Sequence, residues 1–365
     1  MYLARLSVSN YKNIRQLEAE FSPSVNLFLG HNGMGKTNLL DAIYYLSFCK
    51  SHTHTPDGIA VREGEPVFLI QGHYEEEGKE EEILCAYKTG EQKTVKRNKK
   101  EYTRLSEHIG LLPLVIISPQ DMKLIQGGSE ERRRFMDIVI SQYNRTYLNG
   151  LIQYNKALRQ RNNLLRQKVE DGLLFEAIER MMVQASRPVY EARQEFIEQL
   201  IPLFNDYYRC ISNSQETVSL NYVSQLHKEQ AAEVLDRYRE TDRKLGYTSG
   251  GIHRDDLVFR LRGQALNYTG SQGQQKTAVL AVKLAQYTLL ANHTRTMPML
   301  LLDDIFDKLD AGRVKQIMEL VSGAGFGQIF ITDTNRQHLD ALVESCCVPT
   351  ASFHVEEGEL SRLES

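Results

Sequence analysis

The sequence predicts an α/β fold: a sheet assembled from both halves of the chain, with an antiparallel helical arm inserted between them. Three observations carry this. From residue 247 onward, strand-like and helix-like segments alternate, as a parallel sheet covered by helices requires. The short, mainly apolar segment 25–30 (VNLFLG) reads as a further buried strand that needs the same sheet. Between the two, from 130 to about 210, the periodicity becomes helical and long. The expected division is a discontinuous domain of residues 1–118 and 247–365 around an insertion at 119–246.

Element by element, YLARLSVS and QLEAEF read as strands about a turn at residues 10–13, followed by VNLFLG. In TNLLDAIYYLSF, Leu39, Leu40, Ile43 and Leu46 fall at helical spacing. Residues 58–118 read as strand-rich, with a helix around 105–109 and a closing apolar run LPLVIIS. Two long helices follow, at 130–168 and 173–210. Tyr147, Leu151, Tyr154, Leu158 and Leu165 make alternating four- and three-residue steps, interrupted where Arg161 takes a seam position. The connector at Glu170, Asp171 and Gly172 is short enough to force an antiparallel pair, and the first helix, at ~1.5 Å per residue, should reach roughly 57 Å. Pro188 should kink the second. Beyond 246 come strands DLVFRL and ALNY around a turn, a helix at about 273–290, the strand PMLLLDD, the helix AGRVKQIMELV, the strand GQIFITD, a short helix and a hairpin through SFHVEEGEL.

The 365 residues are 41% hydrophobic and 25% charged, which excludes wholesale disorder. No apolar run approaches eighteen residues, and the first fifteen residues lack a signal core and cleavage site, so the expectation is a cytoplasmic protein with no membrane span. Five scattered cysteines suggest neither a disulfide framework nor a zinc site. The net charge of −3 conceals an asymmetry. Between 132 and 168 stand nine basic residues (Arg132, Arg133, Arg134, Arg145, Lys156, Arg159, Arg161, Arg166, Lys168) and one acid, Asp137. A second basic cluster comprises Lys93, Lys96, Arg97, Lys99, Lys100 and Arg104. A polyanion surface is the functional reading of both; a solvated face is the alternative.

Gly30, His31, Asn32, Gly33, Met34, Gly35, Lys36 and Thr37 spell GxxxxGKT between an apolar strand and an amphipathic helix, the setting of a phosphate-binding P-loop. Glycines let backbone amides converge on phosphate, Lys36 neutralises β and γ oxygens, and the Thr37 hydroxyl holds Mg²⁺. ATP with Mg²⁺ is the expected ligand. The strand 299–302 ends in Asp303 and Asp304: Asp303 would act on Mg²⁺ through its water shell, and Asp304 would polarise the attacking water. Ser271, Gln272, Gly273 and Gln274 open a helix 28 residues before that strand. That arrangement is similar to the signature of ABC-type ATPases, whose serine and helix N-terminus meet the γ-phosphate held by the other subunit. Gln120 matches the Q-loop position, sensing Mg²⁺ and the γ-phosphate, and Asp310 the D-loop position.

With NYKNI, GHNGMGKTN, SPQDMKLIQGGSEERRRFMD, GIHRDDLVF, YTGSQGQQKTAVLAVKLAQ and LLLDDIFDKLD in that order, the whole chain resembles the RecF family. The resemblance implies an ABC/SMC-head-like P-loop ATPase with a mixed sheet and a short helical arm, and adds Lys12, in NYKNI, to the nucleotide site. It implies a slow, DNA-stimulated ATPase that dimerises on ATP, binds gapped, junction or double-stranded DNA at the nucleoid, and works with RecO and RecR to load RecA on gaps coated by single-strand binding protein. Lys96, Arg97, Lys99, Lys100, Arg132, Arg133, Arg134, Arg159, Arg161 and Arg166 are the expected DNA contacts. Some features depart from the pattern. The stretch 50–55 lacks an arginine common there, Thr332, Asp333 and Thr334 stand where transporter ATPases keep a switch histidine, and Asp304 replaces the usual Glu. An SMC-like tether would need a far longer arm or a CxxC hook, and a transporter subunit would need a membrane partner.

Overall fold

The computed structural model describes residues 1–212, 217–305, 316, 325–335 and 349–363. In chain order its elements begin with β1 (Tyr2–Tyr11), β2 (Ile14–Glu20), β3 (Val25–Leu29), α1 (Lys36–Phe48), α2 (Asp57–Ala60), β4 (Val67–Glu76), β5 (Lys79–Lys88), β6 (Thr94–Arg97), β7 (Lys100–Glu101) and β8 (Leu114–Ile117). Then come α3 (Lys123–Gln126), α4 (Ser129–Tyr143), α5 (Arg145–Arg166), α6 (Gly172–Ser212), β9 (Val218–Val223), α7 (Ala231–Leu245), β10 (Asp256–Leu261), β11 (Gln264–Ala265), α8 (Leu266–Thr269) and α9 (Gln272–His293). The last strands are β12 (Met299–Asp303), β13 (Ile329–Asp333), β14 (Thr350–Glu356) and β15 (Glu359–Arg362). They form two compact units, Met1–Asp121 with Gln286–Ser365, and Met122–Ala285.

The first unit holds two sheets where the sequence reading expected one. The expected sheet has the order β15-β14-β3-β13-β12-β8, parallel except for its β15 edge. Every residue of β8, β12 and β13 is buried, which explains their unbroken apolar runs. The second sheet, β2-β1-β4-β5-β6-β7, is antiparallel throughout. Its strands alternate, as β4 does by burying Phe68, Ile70 and Tyr74, because one face carries the packing. β1 and β2 belong here and not to the parallel sheet. Helix α1 packs against strands of both sheets, so all ten residues from Leu39 to Phe48 are buried, and a helix covered all round needs no polar face.

In the second unit α5 and α6 run antiparallel: Tyr147 meets Arg193, Gly150 meets Pro188 and Arg161 meets Glu179. The expected first arm helix is in fact two. Asn144, extended at φ −116°, accepts a hydrogen bond from the Tyr147 amide at 2.9 Å and starts α5 afresh, so α5 spans 22 residues, ~33 Å, and not 57 Å. α6 continues through Pro188 and Pro202 for 41 residues. The boundary expected at 246 also moves. β10 pairs antiparallel with β9, so residues 247–285 fold with the helices. ALNY, read as a strand, gives only β11 and then the single turn α8. Apart from residue 316, the helix expected over 311–321, together with the helix expected after 335 and Asp310, lies outside the described residues. Among the described residues, no helix is long and apolar enough to cross a membrane.

Candidate nucleotide-binding site

β3 delivers the P-loop and α1 receives it. Gly33 and Gly35 have φ of +84° and +112°, a region costly to any side chain. Gly30 is fixed by space: a Cβ there would lie 2.4 Å from the Val355 carbonyl oxygen. His31, Asn32 and Gly33 are exposed and Met34 is half-buried. The Met34 carbonyl accepts from the Gly358 amide at 2.9 Å, so the β14–β15 turn braces the loop. Asn13 braces it from the other flank, its amide lying against Gly35 and accepting from Asn38 at 2.7 Å. Asn13 stands in NYKNI beside Lys12, the one residue of that stretch expected at the site; Val355 and Gly358 carry no motif, and only the glycine in the hairpin turn hinted at them.

The Lys36 ammonium, 3% exposed, donates to the Gly30 and His31 carbonyls at 2.8 and 3.2 Å and stands 3.9 Å from Asp304. The Thr37 hydroxyl lies 3.0 Å from both oxygens of Asp303. Burial raises the Asp303 carboxyl above the usual carboxylate range; hydrogen bonds from Thr332 and Thr37 pull it back, and neighbouring Asp304 adds repulsion. Thr332, at the end of β13, ties the acids together: its hydroxyl donates to Asp303 at 2.9 Å and accepts from the Asp304 amide at 3.0 Å. Hard oxygens on Thr37 and Asp303, facing each other beside a second carboxylate, suit Mg²⁺. Thr37 would hold the ion directly and Asp303 through water. Lys12 makes an ion pair with buried Asp41 at 2.5 Å and a hydrogen bond to Thr53, and Tyr11, Ser51 and the His52 amide converge on the same carboxylate. Gln120 is half-buried in a 3₁₀ turn that Asp121 caps through the Ser118 amide.

The signature residues lie in the second unit. Ser271 and Gln274 form a reciprocal cap, the Ser271 amide on Gln274 Oε1 at 2.7 Å and the Gln274 amide on Ser271 Oγ at 3.2 Å. Gln272 and Gly273 form the first turn of α9.

The family model for the RecF/RecN/SMC N-terminal domain matches residues 2–352. The DNA replication and repair protein RecF of Parabacteroides distasonis is 55% identical over 364 residues, covering all of both chains, and that of Porphyromonas gingivalis 49% over 362 residues, covering 99% of this chain and all of the relative. The chain belongs to the RecF family. Among solved structures, the ATP complex of the recombination mediator protein RecF in the RecFOR pathway superposes with a TM-score of 0.89 at 30% identity, covering all of this chain and 98% of the other. The Smc head domain of Pyrococcus furiosus, at 16% identity and a TM-score of 0.58 over all of this chain and 96% of that one, shares the fold. This RecF-family protein is thus an SMC-type P-loop ATPase head with a helical arm.

The basic residues divide on inspection. Arg161 is 1% exposed and bonded to Glu179, Asp242 and Thr248, which removes it from any DNA surface and corrects the sequence reading. Arg132 is bidentate on Asp256, Arg133 binds the Asp255 carbonyl, and Arg134 pairs with Glu130 and Glu131. Arg97 is bidentate on Glu81, and Lys93 pairs with Asp57. Lys99 and Lys100 are exposed, and Lys96 is half-buried. Arg145, Lys156, Arg159 and Arg166 are exposed on α5 within about 80° of arc at ~100° per residue, opposite the buried face of Tyr147, Tyr154, Ala157, Arg161 and Leu165.

Proposed function

We propose that this RecF-family protein is an ATP-switched DNA-binding repair factor. Two copies close on two ATP molecules, each held by the P-loop of one copy and the signature of the other. The single observation that carries this is the division of chemistry: Lys36, Thr37, Asp303 and Asp304 cluster in one unit, while Ser271 is capped at a helix start in the other. Asp304 orients the attacking water; being a methylene shorter than Glu, and without a switch histidine after β13, the site should turn over slowly, with DNA stimulation. The cations on α5, with Lys99 and Lys100, hold the phosphates of duplex, gapped or junction DNA with little sequence preference. By its kinship with the recombination mediators of the RecFOR pathway, the protein acts in the cytoplasm at the nucleoid, with RecO and RecR, to place RecA on gaps coated by single-strand binding protein.

Analytical ultracentrifugation with and without ATP and gapped DNA tests the scheme. The protein should be a monomer or weak dimer alone and a two-site dimer with ATP. Ser271→Arg should abolish the dimer, and an unchanged ATP-dependent dimer in that variant would sink the composite site.

A further inference from the structure

The two acids at the end of β12 are neighbours in sequence, yet both serve the P-loop: Asp303 lies against the Thr37 hydroxyl and Asp304 stands beside the Lys36 ammonium. A continuing strand does not allow this, because successive side chains leave a pleated strand on opposite faces. The chain resolves the conflict at one residue. Asp304 has a φ of +45°, in the left-handed region that residues other than glycine enter only under strain, Asp and Asn bearing it best. Such a residue persists where its surroundings hold it.

Here the neighbouring strand does the holding. β12 and β13 run parallel, with Asp303 opposite Thr332. The Leu300 amide donates to the Gln328 carbonyl at 2.9 Å, and at the same offset the ladder would bring the Asp304 amide onto the Thr332 carbonyl. It donates instead to the Thr332 hydroxyl, at 3.0 Å. That hydroxyl gives its own proton to Asp303 Oδ1 at 2.9 Å and lies 3.5 Å from the Leu302 carbonyl. Thr332 is fully buried, which shields both bonds from water. One side chain thus ends the ladder, turns the backbone at Asp304 and fastens the carboxylate of Asp303.

We propose that Thr332 is a positioning residue for hydrolysis: by putting a side-chain bond in place of a sheet rung, it holds Asp304 in the left-handed conformation that sets its carboxylate on the same side as Asp303 and Lys36. The constraint also gives a reason for Asp at 304, since a left-handed backbone suits Asp better than Glu. The proposal rests on the reading of Asp304 as the acid that orients the attacking water.

The test uses Thr332→Val, which keeps the shape and removes the hydroxyl, and Thr332→Ser, which keeps the hydroxyl. Three quantities are read: affinity for a fluorescent ATP analogue with Mg²⁺, the rate of phosphate release from ATP, and the backbone at residue 304 in a crystal structure of nucleotide-free Thr332→Val. Thr332→Val should bind the analogue within about threefold of the wild type and turn over ATP about tenfold more slowly, with residue 304 out of the left-handed region. Thr332→Ser should recover turnover to within about threefold of the wild type. The proposal is overturned by a Thr332→Val protein that loses affinity and keeps its kcat, by a φ at 304 still near +45° in that variant, or by a Thr332→Ser protein as slow as Thr332→Val. A second measurement does not depend on Thr332→Val folding. Because glycine alone is at ease in this backbone, Asp304→Gly should melt above Asp304→Ala by about 2–4 °C, and equal melting also overturns the proposal. If Asp304→Asn hydrolyses ATP at the wild-type rate, the water-orienting role of Asp304 falls, and φ at 304 in Thr332→Val still decides whether the hydroxyl sets the backbone.

Discussion

Replacing Arg161 by methionine should unfold the second unit early, whereas reversing Arg159, two residues away, should leave its stability alone. The Arg161 guanidinium holds two acids whose side chains are 10% and 0% exposed, Glu179 and Asp242. Removing one partner of a buried pair leaves uncompensated charge and costs about 3–5 kcal/mol. For a unit of this size that shifts the melting temperature by roughly 6–20 °C. Arg159 is exposed, so Arg159→Glu should change stability by no more than about 0.5 kcal/mol while weakening duplex binding. Differential scanning calorimetry and titration of labelled duplex separate the two effects, and adding Glu179→Leu with Asp242→Asn should restore part of the loss in Arg161→Met. The reasoning is refuted if Arg161→Met melts within 2 °C of the wild type, a threshold about a third of the smallest expected shift, or if Arg159→Glu melts as early as Arg161→Met.

Hydrolysis should separate from binding: Asp304→Asn should hold the ATP dimer on DNA with turnover lost, Lys36→Ala should fail to bind nucleotide, and phosphate release with a nucleotide-binding titration distinguishes them. If Lys156, Arg159 and Arg166 each neutralise one phosphate, each arm contributes about −2.7 to the slope of log affinity against log salt, and reversing all three should flatten the slope by that amount per engaged arm. An unchanged slope would move the DNA site off α5. His253 accepts from the Tyr154 hydroxyl at Nδ1 and donates from Nε2 to the Thr248 carbonyl, and burial lowers its pKa to about 4. Because the fold favours the neutral ring, its contribution is complete above pH 6.5 and is lost as pH falls toward 4, up to about 3 kcal/mol. The difference in pH dependence of urea unfolding between wild type and His253→Gln isolates that loss, and parallel curves would disprove it.

The nucleotide site was legible because its residues are fixed by chemistry local to the chain. Only glycine accepts the backbone of Gly33 and Gly35, and a buried strand ending in two acids announces β12. Partners brought in from far along the chain left no such trace, as with Val355 and Gly358 behind the P-loop. Counting charge treated every arginine as solvated, although the seam position of Arg161 already placed it on the buried side of α5. The break at Asn144 was also written in the sequence, in an Asn followed by a helical run, but the continuing apolar steps masked it. α8 is a single turn, too short for periodicity to register, and it depends on Gln275, nine residues downstream of Leu266.

The hairpin behind the P-loop bears on how the protein is made. β3 emerges early, yet its two sheet neighbours, β13 and β14, and the carbonyl and amide that brace Gly30 and Met34, are encoded some three hundred residues later. At a ribosomal pace of 5–20 residues per second, the nascent chain carries an unpaired apolar strand and an unbraced phosphate loop for roughly 15–60 s. During that interval nucleotide meets only an incomplete site. The complete site arrives late in synthesis, with the strand pairings of highest sequence separation.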